Sequence, residues 1–244
     1  VYDFVTDDGV ENTVWVIDDK NAIEKISAGI AATDYLYIAD GHHRAASAVK
    51  VGLKRREKHP DYTGEEEFNY FLAVLFPKDE LEIMDYNRVI KDLNGHSEEE
   101  FMNLLSEKFT VEKVGNKAYH PEKKHTFGMF LDGTWYKLSA KDGTFDKNDP
   151  VAQLDVSILQ NNVISPIFGI NDPRTDKRID FIGGIRGLGE LERRVNTDMK
   201  VAFSMYPTTL DDLTDIADAG KIMPPKSTWF EPKLLSGLFI HKLS

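Results

Sequence analysis

Apolar residues recur along this chain with two periods. Steps of three and four through Ile23, Ile26 and Ile30 predict a helix over 18–30. The small residues Gly41, Ala45, Ala48 and Gly52 repeat at the same steps, which predicts a second helix with a face smooth enough to lie close against a sheet. Short apolar or alternating runs predict strands at 13–17, 35–39, 70–76, 81–89, 111–114, 126–131, 134–138, 179–182, 201–206 and 238–243. Turn and cap signals stand between them. Asp7-Asp8-Gly9 and Pro77-Lys78-Asp79-Glu80 read as turns, Asp132-Gly133 as a hairpin, and Ser97 with Glu100 as a capping box ahead of an amphipathic helix. Asp149-Pro150 opens a helix expected over 152–164, with Leu154, Ile158 and Leu159 on its apolar side. A helix at 190–195 follows the glycine cluster of residues 183, 184, 187 and 189, and one at 209–219 stops at Gly220.

The order strand-helix-strand-helix at the start, then an antiparallel middle, predicts an α+β fold with mixed sheets and a second antiparallel region. Two regions are expected, 1–95 and 96–244, packed as one unit. The chain opens at Val1 with what reads as the middle of a sheet, so it is expected to be a fragment, with residues 1–5 beside an exposed apolar surface or another chain.

Composition narrows the chemistry. With 41% hydrophobic and 29% charged residues, the 244-residue chain has an ordinary globular balance. It contains no run of about 18 apolar residues, so no membrane-spanning helix and no membrane partner is expected, and a cytoplasmic location follows as the expectation. Cysteine is absent, which removes disulfides, thiolate nucleophiles and zinc-thiolate centres. A net charge of −11 repels a nucleic-acid backbone, and the one compact basic run, Lys54 to His59, is followed directly by acidic residues. Nucleic acid is therefore not an expected partner, whereas a small anion held by local donors is unaffected by the global charge.

Three stretches carry candidate chemistry. In YLYIADGHHRAASA, the start of a helix falls where a strand ends, and the free N–H groups and positive dipole end of a first turn favour an anion. Gly41, His42, His43 and Arg44 add donors suited to a phosphate or carboxylate. The structural alternative is that Asp40 caps the helix and Arg44 pairs with a neighbouring acid, while two adjacent histidines point about 100° apart. RTDKRIDFIGGIRG gathers Arg174, Lys177, Arg178 and Arg186 around a glycine pair, and MPPKSTWFEPK holds Lys226, Ser227 and Thr228 between prolines beside Trp229 and Phe230. Both suit anion binding, and both suit salt-bridged loops. Neither has a phosphate-loop spacing, and the chain has no H-E-x-x-H and no G-x-S-x-G. Asp40, Asp176 and Asp180 are candidate general bases that pattern does not separate.

Residues 35 to 48, with DYNRVIKDLNG, DPRTDKRIDFIGGIRG and MPPKSTWFEPKLLSGLFIHKL, closely resemble the bacterial and archaeal family called domain of unknown function 1015, across essentially the whole chain. Members usually begin with a further segment, so the resemblance implies the C-terminal two-thirds of a longer protein. More distantly, Asp40-Gly41-His42-His43-Arg44 is similar to the strand-to-helix phosphate motif of the ParB/sulfiredoxin superfamily, where Gly41 and Arg44 match. His42 stands where sulfiredoxins carry their catalytic cysteine, so reductase activity is not implied. In the ParB-like free serine kinases the motif is close to D-G-H-x-R, and Asp40, Gly41, His42 and Arg44 match it. Those kinases' catalytic glutamate has no counterpart here.

The resemblance implies a small-molecule phosphotransferase, serine kinase-like, using a nucleotide or pyrophosphate donor with Mg²⁺ bridging the phosphates. Its partner is a small phosphorylated metabolite or nucleotide. Asp40, His42 and Arg44 are the expected catalytic residues. Gly41, His43, Arg178, Arg186, Lys226, Ser227 and Thr228 are the expected phosphate-binding ones. The rival is a non-catalytic nucleotide-binding switch or adaptor of ParB-like ancestry. Donor, acceptor and oligomeric state are left open by the sequence.

Overall fold

A computed structural model describes residues 1–7 and 9–243. The chain divides into two compact units, Val1–Ile38 and Ala39 onward. In the first, β1 (Tyr2–Val5) and β2 (Glu11–Val14) form an antiparallel hairpin with Tyr2 opposite Val14. Gly9 turns the chain at φ 84°, its N–H donating to the Thr6 carbonyl at 2.8 Å; Asp8 of the expected Asp-Asp-Gly turn lies outside the described residues. The strand expected at 13–17 thus begins earlier and ends at Val14. α1 (Lys20–Ala31) starts where Asp19 accepts from the Ala22 N–H at 2.8 Å, as its periodicity predicts, but it buries no residue. The run 35–38 is not a strand, although its composition predicts one. A strand needs a ladder partner as well as apolar side chains, and among the described residues no neighbouring strand pairs with it.

The second unit opens with α2 (His42–Lys58), continues through β3 (Glu82–Met84), β4 (Tyr86–Ile90), α3 (Glu98–Lys108), β5 (Phe109–Gly115), β6 (Thr126–Leu131) and β7 (Thr134–Ala140), and then through α4 (Asp155–Leu159), β8 (Ile179–Gly183), α5 (Leu188–Thr197), β9 (Val201–Met205), α6 (Leu210–Asp218) and β10 (Trp229–Glu231). Six strands make one sheet in the order β5-β7-β6-β9-β4-β8. Every pairing in it is antiparallel, so the expected mixed sheet is not formed. The β6–β7 hairpin turns on Asp132 and Gly133, both at positive φ, which is the conformation the Asp-Gly pair favours.

Alternation along the strands sorts the core onto two faces. Phe127, Met129, Phe203, Met205 and Ile90 meet Phe101 and Leu105 of α3, Ile158 and Leu159 of α4 and Ile216 of α6 on one side. Val89, Phe130, Ala202 and Ile182 meet Leu191 of α5 and Trp135 on the other. The capping box at Ser97 and Glu100 is formed, with the Glu100 carboxylate accepting from the Ser97 N–H at 2.8 Å.

Four expectations are corrected here. Residues 70–76 form no strand; their apolar side chains stay half exposed because no strand lies beside them among the described residues. Residues 238–243 likewise join no sheet. The strand expected at 81–89 breaks at Asp85, so β3 leaves to pair with β10 while β4 stays in the large sheet. The helix expected over 152–164 starts later. Asp149 accepts from the Val151 and Ala152 N–H groups in a turn, and α4 then runs into one π turn over 160–164.

Candidate functional site at the start of the second helix

Gly41, at φ 85°, is the N-cap of α2, a conformation that glycine adopts without strain. Asp40, expected to be the cap itself, stands one residue earlier and accepts from the Gly41 N–H through Oδ1 at 2.8 Å. No side chain caps the first turn, so its N–H groups keep their donor capacity. The Arg44 side chain folds back over this cap: a Cβ on Gly41 would lie 3.1 Å from both Nε and Nη2. His42, His43 and Arg44 are exposed, and their side chains make no hydrogen bond or ion pair among the described residues. Arg44 acts on Asp40 through space, without forming a salt bridge among the described residues.

The inner face of α2 is the small-residue stripe. Gly52 is buried, and a Cβ there would stand 2.9 Å from the Phe68 carbonyl. The helix thus rests on the turn at Glu67–Asn69 rather than on a sheet. Its C-terminal half is tied down by Arg56 Nε donating to Asn69 at 2.7 Å and Arg55 donating to the Leu243 carbonyl at 2.6 Å. Arg55 and Arg56 of the basic run 54–59 are taken up by these contacts, and His42 to Arg44 of the first turn are exposed.

One ion pair joins this helix start to the MPPKSTWFEPK stretch. Lys233 Nζ lies 3.4 Å from Asp40 Oδ2 and 5.3 Å over the Trp229 ring. Trp229 packs on the glycine pair of the FIGG run: a Cβ on Gly183 would approach its indole to 2.8 Å, and one on Gly184 would overlap the Asp85 carboxylate. Those glycines make room for neighbouring side chains. Tyr86 stands edge-on to Trp229 at 5.4 Å and to Phe181 at 5.8 Å. Lys226, itself at φ 58°, brings Nζ to 3.3 Å from the Tyr86 hydroxyl and 5.9 Å from the Phe181 ring. Beneath them Arg88 is buried, donating to the Tyr86 and Lys226 carbonyls, and burial pushes its guanidinium down to about 10. It remains a cation at neutral pH.

Burial pushes the Asp40 carboxyl up, but the Gly41 N–H, Lys233 and Arg44 together outweigh that and hold it below the ordinary carboxylate range. Asp40 is therefore an anion that orients its neighbours and a poor proton acceptor. On the far side of the glycine pair, His120 lies 3.6 Å from Asp85 Oδ1, and that contact raises its pKa.

The remaining expected residues are placed as follows. Ser227 is buried, donates to the Pro224 carbonyl at 2.6 Å and presents its own carbonyl to Thr208, so it holds the turn together. Thr228 is half-buried between Ser227 and Trp229. Arg186 is exposed in the turn after β8, within electrostatic reach of Glu190. Arg178 donates to Asp176, to Asn94 and to the Phe168 carbonyl at 3.0 Å. It precedes β8, five strand steps or about 16 Å from Gly183 at the other end. The structure thus brings Asp40, Gly41 and Arg44 together with Lys233, and links them through Trp229 and Tyr86 to Lys226. It leaves Arg178 apart in its own ion-pair network. Trp229 stands beside Lys226 to Thr228 in the sequence reading, whereas Lys233, Tyr86 and Arg88 were not anticipated. The available signal was a lysine four residues after a tryptophan in a proline-bounded stretch. As for Mg²⁺, the described residues hold no cluster of three or more histidine, aspartate or glutamate side chains suited to a metal. At the helix start the Asp40 carboxylate has both oxygens engaged.

Among solved structures, the chain is similar to free serine kinase in complex with AMP, at 17% identity and a TM-score of 0.38 over 86% of this chain and 78% of that one. It is also similar to a mutant of free serine kinase in complex with ADP, at 15% identity and a TM-score of 0.41 over 86% and 78%. A conserved hypothetical protein from Pyrococcus furiosus matches at 15% identity and a TM-score of 0.40, over 86% of this chain and 81% of that one. These likenesses are distant. No curated protein matches the chain. Residues 1–157 match the family described as "Protein of unknown function (DUF1015)", and the chain belongs to that family.

Proposed function

We propose that the Asp40–Arg44 helix start binds the terminal phosphate of a nucleotide or of pyrophosphate, and that the protein is a small-molecule phosphotransferase. The observation that carries this reading is the exposed Arg44 guanidinium folded over Gly41 beside uncapped first-turn N–H groups. Lys233 is held next to them by Asp40 and Trp229. The match of Asp40, Gly41, His42 and Arg44 to D-G-H-x-R supports free serine as the most concrete acceptor.

Catalysis here is positioning and charge stabilisation. The serine hydroxyl oxygen forms a bond to phosphorus as the bond to the donor's bridging oxygen breaks, the donor leaves as its shortened phosphate, and the hydroxyl proton passes to solvent. Arg44 and the first-turn N–H groups face the negative charge that spreads over the transferring oxygens. His42 and His43 supply further donors on the same turn, and Lys226 and Lys233 neutralise the departing phosphate. Asp40 keeps Lys233 and Gly41 in place. A Mg²⁺ ion would be held chiefly by the donor's phosphates and water rather than by these residues, and would supply further charge neutralisation.

Incubation of the protein with serine and either ATP, ADP or pyrophosphate, with phosphoserine measured by mass spectrometry, tests the proposal. Phosphoserine formation dependent on one donor and lost in Arg44→Ala is the expected result. Saturable nucleotide binding with no phosphoserine from any donor would instead favour a binding switch.

A further inference from the structure

The loop between β5 and β6, residues 116–124, makes no backbone-to-backbone hydrogen bond among the described residues. Side chains fasten it instead. Ser204 of β9 donates to the Tyr119 carbonyl at 2.9 Å, above Gly128, where a Cβ would stand 2.6 Å from that oxygen. At the far end Thr126 donates to the Lys123 carbonyl at 2.5 Å, and Lys124 pairs with Asp212 at 2.6 Å. Between these anchors Pro121 is buried, and His120 reaches Asp85, the residue before β4.

The His120 ring faces two oxygens that have no hydrogen to give. Nδ1 lies 2.9 Å from the Pro121 carbonyl oxygen, and Nε2 lies 3.6 Å from Asp85 Oδ1. A neutral imidazole carries one N–H and one lone pair, so either tautomer turns a lone pair on one of these oxygens. The imidazolium, with an N–H on each nitrogen, suits both, as a hydrogen bond to Pro121 and an ion pair with Asp85. Asp85 is a fixed partner. Its carboxylate accepts from the Asn87 amide, whose own oxygen accepts from the Met205 N–H at 2.9 Å, and it fills the space that Gly184 leaves. The Asp85 side chain is 12% exposed and that of His120 46%, so the carboxylate stays with the sheet and the imidazole is the half able to leave. Lys117, Glu122, Lys123 and Lys124 on the same loop are exposed, and the charge that acts on the ring is that of Asp85.

We propose that His120 is a pH-operated clasp: protonated, it ties the β5–β6 loop to Asp85, and deprotonated, it releases the loop between Tyr119 and Lys123. The contact with Asp85 raises the His120 pKa above its ordinary value of 6.5, against the opposing pull of burial. The folded state thus holds this proton more tightly than the unfolded one. The clasp is closed below pH 6.5 and is lost as pH rises through the higher folded value. It needs no ligand and stands independently of the helix-start reading.

Two measurements on the whole chain test this. In a nuclear magnetic resonance titration the His120 ring, assigned by its absence in His120→Ala, should titrate with a midpoint above 6.5. The chain contains no cysteine, so Glu122→Cys carries a single nitroxide spin label on the exposed part of the loop. Its electron paramagnetic resonance spectrum should show slow motion at pH 5.5 and a correlation time shorter by about threefold or more at pH 9, on the nanosecond scale of loop motion. With His120→Ala added, the fast spectrum should be present at both pH values. His120 is exposed, so its replacement by alanine leaves the fold in place. A ring midpoint at or below 6.5 overturns the inference, as do label spectra that are alike at the two pH values. Every other titratable group is retained in the His120→Ala chain. A pH-driven gain in motion that persists there therefore belongs elsewhere and also overturns it.

Discussion

A carboxylate held in the dry, as Asp155 is, works against the fold once it ionises. Its folded pKa of about 7 lies above the ordinary value of 3.8, chiefly through burial, so the folded state binds the proton more tightly than the unfolded state. With respect to this group stability is therefore greatest below about pH 4 and is lost as pH rises through about 7, by roughly 4 kcal/mol. Asp155→Asn keeps an oxygen for the His125 N–H, which donates to Asp155 at 2.8 Å, and removes the charge. The variant should melt several degrees above the parent at pH 8 and within a degree or two of it at pH 4. Equal melting temperatures at both pH values would show that Asp155 is not buried as a charge. The Asp40–Lys233 pair differs in kind. Its side chains are 58% and 43% exposed, and such a pair contributes at most about 1 kcal/mol. Lys233→Ala should leave the melting temperature within about 2 °C while weakening pyrophosphate binding severalfold, as titration calorimetry would show.

At the scale of elements, the FIGG turn is where a sequence feature most changes its meaning. Gly183 admits Trp229 and Gly184 admits Asp85, whose carboxylate Asn87 and His120 also hold. Gly184→Ala should cost about 1–3 kcal/mol through overpacking. Gly189→Ala, in α5 with nothing within 4 Å of the added carbon, should be neutral or stabilising by about 0.5–1 kcal/mol. Denaturant melts of the two variants check this, and an equal loss in both would remove the packing account. The same contrast shows what was legible beforehand. The Ser97 cap, the Asp132-Gly133 hairpin and the strands of the large sheet other than β4 were readable because their causes sit within a few residues. Residues 35–39, 70–76 and 238–243 carried the same apolar signal without a partner strand, and no local pattern reports a partner. β10 was hidden in a proline-bounded stretch, since its pairing with β3 depends on room made by distant glycines. The start of α2 was legible as a donor-rich helix end, whereas Lys233 reached it only through folding.

Across the whole molecule, the hydrogen-bonded core lies in the six-stranded sheet, and the apolar run from Phe71 to Leu75 stays 48% or more exposed at Phe71, Leu72, Val74 and Leu75. Backbone N–H groups in 71–75 donate to no backbone acceptor among the described residues, so their amides should exchange with solvent within seconds. Those of β6 and β9, paired with each other in mid-sheet, should persist far longer. Hydrogen-exchange mass spectrometry on peptides covering both would contradict this arrangement if 70–76 were as protected as the sheet. The net charge of −11 makes any anion site a local achievement of a few donors against the molecule's long-range field. Arg44 is the clearest of those donors, and the most direct measurement is a comparison of the unaltered protein with Arg44→Ala in two readouts, pyrophosphate affinity by calorimetry and melting temperature without ligand. Affinity should fall about ten- to a hundredfold, the worth of a charged hydrogen bond, while the melting temperature moves by no more than a degree or two. A collapse of the fold with affinity unchanged in the surviving folded protein would contradict the phosphate site.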